Sequence, residues 1–280
     1  MHDEALLIEL DGPDDWPGFR GACRSLLAHG ADPGAVRWRW PDAQGAVQRG
    51  EGVDLFCGPQ EQALPAAVLA DMAAPGSAGL ALPEARLSTL RQACMNRAAG
   101  RFELCHRWLA RVRAQPGLRL DPLDEDWRSI ESLARPVARE IHKMHAFVRF
   151  RPTQRQDMPT LHIAWFEPQH HIVRAAAPFF RSRFANMHWA ILTQDCSAHW
   201  DGHALRFGPG ARRSDAPPAD AGEALWLTYY ASTFNPARLK EQAMLREMPR
   251  RYWRNLPESV LISTLVQQAR ARTGRMLQPH

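Results

Sequence analysis

Residues 142–166 read HKMHAFVRFRPTQRQDMPTLHIAWF, and the hydrophobic period changes within them. Upstream, Trp127, Ile130, Ala134, Val137, Ile141 and Met144 recur at alternating intervals of three and four, which lays one apolar seam along a long helix. Pro136 inside that seam is expected to kink it. Downstream, AFVRFR and LHIAWF alternate with period two and predict strands. A helix is predicted from about Pro168 to Phe184, packing through Val173, Ala176, Ala177, Phe180 and Phe184. WAILTQ and HALRFG predict two more strands, with the Asp-Gly pair of WDGH suited to a tight hairpin. The order β-β-α-β-β predicts an antiparallel sheet flanked by helices, an α+β fold.

Outward from this center, Pro83 to about Ala99 and Phe102 to Val112 predict two helices separated by Gly100. The first 80 residues predict a small N-terminal α/β unit, with LLIEL and VRWRW as strands and WPGFRGACRSLLAHG as a helix stopped by Gly30. DMAAPGSAGLALP (71–83) is the expected linker, dividing the chain into a unit at 1–80 and a body at 81–280. Toward the C-terminus, ARRSDAPPAD (211–220) predicts a loop, and three helices are expected beyond it, the second starting at Asn235 and Pro236.

A chain of 280 residues that is 45% hydrophobic can bury a full core. No run of about 18 apolar residues occurs, and MHDEALLIEL carries acids where a secretion signal needs a basic start, so a cytoplasmic protein with no membrane association is expected. Cys23, Cys57, Cys94, Cys105 and Cys196 form no C-x-x-C pair, which argues against a zinc finger or a disulfide framework. No cofactor is expected. The net charge of +5 is compatible with a polyanionic partner, and the basic residues concentrate in 135–183 and 238–254.

The words HKMHAFVRFR (142–151), AWFEPQHHIVRAAAPFFRSRFANM (164–187), SAHWDG (197–202), TYYASTFNPARLK (228–240) and MPRRYWRNLP (248–257) resemble one known family. It is a domain of unknown function associated with DNA repair and DNA metabolism. Its members occur alone or fused to UdgX-type uracil-DNA glycosylases, and are commonly encoded beside a radical-SAM protein similar to spore photoproduct lyase. The resemblance spans roughly residues 1–280, is strongest from residue 83 onward, and implies DNA as a partner and a radical-SAM repair protein or a uracil-DNA glycosylase as a second one. It brings no catalytic residues with it. Unlike the fused form, this sequence has no glycosylase motifs or cluster-ligating cysteines after the resembling words.

Read for nucleic-acid contact, the candidates are His142, Lys143, Arg149, Arg151, Arg174, Arg181, Arg250, Arg251 and Trp253. Arg149 and Arg151 are expected on one sheet face. His170, Arg174 and Arg181 are expected on one helix face, beside a helix start whose free N–H groups suit a phosphate. RRYWRNLP interleaves arginines with Tyr252 and Trp253, which suits phosphate neutralization plus base stacking, and Trp165 is a further stacking candidate. A solvated polar face and a loop anchored by its aromatics are the alternative readings of the same residues. For catalysis the candidates are Lys143 as an amine nucleophile and Glu167, His170 and His171 as acid-base groups or metal ligands, although Pro168 breaks the helical geometry between Glu167 and His170. Glu103 and His106 give a second E-x-x-H spacing, short of a dimetal pattern. The reading that follows is a DNA-maintenance protein that binds damaged or single-stranded DNA beside a repair enzyme. The rivals are a hydrolase or lyase using Glu167, His170 and His171, and a protein-binding adaptor.

Overall fold

The structure is a computed structural model that describes residues 6–41, 47–49, 63–71, 80–153, 159–217 and 248–256. These fall into two compact units, Met1–His142 with Pro168–Arg174, and Lys143–Glu167 with Ala175–His280. Most of the expected linker, the expected helices beyond residue 220 with Tyr229 and Tyr230, and Cys57 lie outside the described residues.

In the first unit, β1 (Leu6–Glu9) pairs in parallel with β2 (Val36–Pro41) and with β4 (Leu64–Pro65), and β2 pairs antiparallel with β3 (Val47–Arg49). α1 (Trp16–Ala28) connects β1 to β2, as the sequence predicts. Its start is fixed locally: the Asp15 carboxylate accepts from the Gly18 N–H at 2.9 Å, and Pro17 occupies the first turn. Its end is fixed by Gly30, whose φ of +68° disfavors any residue with a Cβ. At Gly21 a Cβ would meet that of Ala70 at 2.6 Å, so glycine permits α1 to approach α2 (Ala66–Asp71).

α3 (Glu84–Met95), α4 (Arg101–Ala114) and the first part of α5 (Glu125–Phe147) complete the unit. Asp124, almost wholly buried, accepts from the Trp127 N–H at 2.9 Å to cap α5, and pairs with Arg111 at 2.7 Å. Their apolar faces meet in one core, where Phe19, Trp38 and Phe102 cluster with ring centroids 4.9 to 6.1 Å apart and Trp108 lies 4.9 Å from Trp127. α5 runs through Pro136 as one helix.

The second unit holds a five-stranded sheet in the order β5 (Arg151–Thr153), β6 (Leu161–Trp165), β7 (His188–Leu192), β8 (Cys196–Trp200), β9 (Leu205–Pro209). The fold is of the expected mixed helix-and-sheet kind, with two corrections. The sheet is mixed, not antiparallel: β6 and β7 run parallel, joined through α6 (Val173–Arg183), while the other neighbors are antiparallel. A strand that returns through a helix re-enters the sheet in its original direction, which is the physical reason. The sheet also has a fifth strand beyond the four that the sequence predicts: β8, which leads into the WDGH turn and pairs with both β7 and β9. Phe150, Phe180, Phe184 and Trp189 pack one face of this sheet against α6 at centroid distances of 5.3 to 6.4 Å.

Among the described residues no helix is long and apolar enough to cross a membrane.

Candidate nucleic-acid interface

α6 buries Val173, Ala176, Ala177 and Phe180, the stripe that its sequence predicts. Phe179, the neighbor of Phe180, cannot share that face: one residue is 100° of helix. It stands 41% exposed, and the ring of His145 on the last turn of α5 stacks on it at 4.0 Å with planes 21° apart. Arg183 follows Phe179 by one turn, and Arg181 lies across the exposed surface of the helix. Both arginines are exposed, and α6 itself carries no acid. An open aromatic ring, backed by a second ring, with one cation a turn away and another round the same exposed surface, can stack on a base while the cations meet phosphates of the strand.

The other arginine candidates are held in separate ways. His142 is exposed and Lys143 half-buried on the final turns of α5. Arg149 is not on a strand, because α5 continues to Phe147 and β5 begins only at Arg151. Its guanidinium donates to the Ala146 carbonyl at 2.7 Å and to that of Val148 at 3.3 Å, capping the helix C-terminus where a cation is favored. The expected pairing of Arg149 with Arg151 on one sheet face therefore does not form. Arg151 is on β5 and donates to the Pro217 carbonyl at 2.9 Å. Arg174, in the first unit, pairs with Asp14 at 3.6 Å. Burial raises the pKa of Asp14, and the Arg174 charge opposes that rise.

Arg250, Arg251 and Trp253 lie on a short 3₁₀ helix, Arg250–Asn255. Arg251 sits 4.6 Å over the Tyr252 ring and donates to its hydroxyl at 2.6 Å. Tyr252 is only 2% exposed and stacks on Phe166 at 5.3 Å, so it is a core residue and no platform for a base. Trp165, 6% exposed, is likewise removed from the stacking candidates. Trp253 is half-buried, donates its indole N–H to the Met248 carbonyl at 3.0 Å, and has Arg250 5.8 Å from its ring.

The helix expected from Pro168 starts instead at Val173, and the segment before it is irregular. The cause is Glu140, a buried carboxylate on α5 that accepts from the N–H groups of Gln169 and His170, both at 2.9 Å. The donors expected to greet a phosphate are thus filled from within, and His170 shares no helix face with Arg174 and Arg181. Arg97 adds two bonds, its N–H reaching His170 Nδ1 at 3.3 Å and its side chain the Gln169 carbonyl at 3.0 Å. His171 donates its backbone N–H to the Met95 carbonyl at 2.9 Å. Burial, reinforced by Arg97, Arg101 and His170, pushes the His171 imidazole down to about 3, so it is neutral at pH 7. Glu167 accepts from the Trp165 indole at 3.0 Å and belongs to the other unit. Glu103 accepts from the Trp38 N–H at 3.3 Å. Among the described residues, no three His, Cys, Asp or Glu side chains come together in a way that could hold a metal ion.

Sequence reasoning missed His145 and Phe179. The available signal was the doublet Phe179-Phe180 on a helix, since adjacent aromatics cannot both face the core.

No curated protein and no solved structure matches the chain. A family model does, over residues 99–258, a narrower span than a resemblance over the whole chain. That span is more than half of the 280 residues, and the chain belongs to the family described as a domain of unknown function, DUF4130.

Proposed function

We propose that this chain is a DNA-maintenance protein that binds single-stranded or locally opened DNA and acts with a partner repair enzyme, such as a radical-SAM protein or a uracil-DNA glycosylase. The observation that carries the reading is the exposed Phe179, stacked on His145, with Arg183 one turn further on and Arg181 round the exposed surface of a helix without acids. Such a surface takes unpaired bases of any sequence, because every base has a π-face and the cations meet only the backbone. A paired duplex keeps its bases stacked on each other and offers only its phosphates. The sign of the surrounding sequence supports the reading: between residues 142 and 194 the acids are Asp157 and Glu167, against Lys143, Arg149, Arg151, Arg155, Arg174, Arg181 and Arg183.

Fluorescence anisotropy with labeled oligothymidylate, a perfect duplex, and a duplex containing an abasic site or a mismatch tests the proposal. The single strand and the interrupted duplex should bind more tightly than the perfect duplex, and all affinities should fall with salt. Equal affinity for the three forms would remove the role of the ring, and absence of binding at low salt would remove the function.

A further inference from the structure

A second site lies wholly in the first unit and stands independently of the DNA reading. Between α1, α3 and α4 is a cavity of about 210 Å³. Its walls are Trp16, Phe19, Leu27, Leu80, Leu82, Leu87, Leu90 and Leu109 with the thiol of Cys23, and its remaining lining residues are Arg20, Arg24 and Arg113. No acid lines it. The floor is deeply buried at Phe19, Cys23 and Leu90, whereas all three arginines are exposed, so charge gathers at the mouth and aliphatic surface lies beneath.

The helices make this division by spacing. On α1, Trp16, Arg20, Cys23, Arg24 and Leu27 fall along one stripe, and on α4 Arg113 follows Leu109 by one turn. Elsewhere on α4, Arg107 and Arg111 are paired with Asp124 and Asp126 at 2.6 to 2.7 Å. Among the described residues Arg20, Arg24 and Arg113 have no ion-pair partner, and three guanidinium groups around one opening repel one another until an anion joins them.

We infer that this cavity binds a small amphipathic anion, an aliphatic chain ending in a carboxylate or a phosphate. Beyond the indole of Trp16 and the thiol of Cys23 the described walls are hydrocarbon, so a nucleotide gains little beyond its phosphate there, while an alkyl tail exchanges water for leucine. The head is fixed by the arginine fork, which bonds carboxylate and phosphate alike.

Displacement of a dansyl-labeled undecanoate from the full chain, read by its blue-shifted emission, tests the assignment. Decanoate and decyl phosphate, below their micelle concentrations, should compete, and the tighter of the two identifies the source of the head group. Decanol, decyltrimethylammonium and inorganic phosphate should compete roughly tenfold less well or worse, as expected for loss of one charge-assisted contact set or of the tail. Arg20→Ala with Arg24→Ala, both on the surface, should weaken binding by at least about tenfold without changing the circular dichroism spectrum. Leu87→Trp, which fills the mouth, should abolish binding with the arginines in place; if it does not fold, the arginine pair decides. Competition by decanol equal to that of decanoate, unchanged affinity in the arginine variant, or binding of an acidic amphipathic peptide with no binding of either alkyl anion would each overturn the inference.

Discussion

His145 on α5 and Phe179 on α6 stack with ring centroids 4.0 Å apart, and the outer ring of the pair is 41% exposed. Phe179→Ala should weaken binding of oligothymidylate by about 1–3 kcal/mol, the range for one stacked base, and the lost ring contacts with His145 and Phe180 should lower the stability by roughly 1–2 kcal/mol without unfolding the chain. Anisotropy and thermal unfolding on the same preparation check both halves of this expectation.

His106 is fully buried, edge-on to Trp38 at 5.9 Å, and neither ring nitrogen has a hydrogen-bond partner among the described residues. Burial lowers its pKa from 6.5 to about 4. Between those values the unfolded chain binds the proton and the folded chain does not, so stability is full above about pH 6.5 and falls as pH drops toward 4, by up to about 3 kcal/mol. His171, lowered to about 3, adds to the same acid limb. His106→Phe keeps the contact with Trp38 and removes the titration. At pH 7 it should lie within about 1 kcal/mol of the parent, and its stability should decline less between pH 6.5 and 4. Urea unfolding at stepped pH measures the difference, and parallel acid limbs would refute the assignment to His106.

Glu140 joins α5 to the irregular segment before α6 through two charge-assisted bonds of 2.9 Å. Glu140→Ala leaves the N–H groups of Gln169 and His170 without their acceptor, but it also removes a buried charge. The net loss should be about 2–4 kcal/mol, less than the sum of two such bonds. Glu140→Gln keeps one acceptor oxygen and should lose roughly half as much. Urea midpoints of the two variants, read at constant m-value, provide the comparison.

The features legible in the sequence were those fixed by neighbors in the chain. Asp15, Pro17 and Gly30 delimit α1 by capping and φ preference alone, and the seam from Trp127 to Met144 marks α5. What failed was set at a distance. Gln169 and His170 read as a helix start until a carboxylate 29 and 30 residues earlier takes their N–H groups. AFVRFR reads as a strand by alternation, yet the Val148 N–H still bonds the Met144 carbonyl at 3.1 Å and keeps the backbone turning. The parallel pairing of β6 with β7 was readable, since a helix lies between them. Of the candidate interface, Arg181 was legible as a charge on an exposed face. The stacking of His145 on Phe179 depends on which of two adjacent rings the core selects, and composition is silent on that.

The most direct measurement is the salt dependence of oligothymidylate affinity for the chain and for Arg181→Ala with Arg183→Ala, after circular dichroism establishes that the variant is folded. Each phosphate contact releases about one counterion, so the variant should bind more weakly and its log–log slope should flatten by roughly 1 to 2. Unchanged affinity and unchanged slope in the folded variant would contradict the account and make these arginines a solvated helix face.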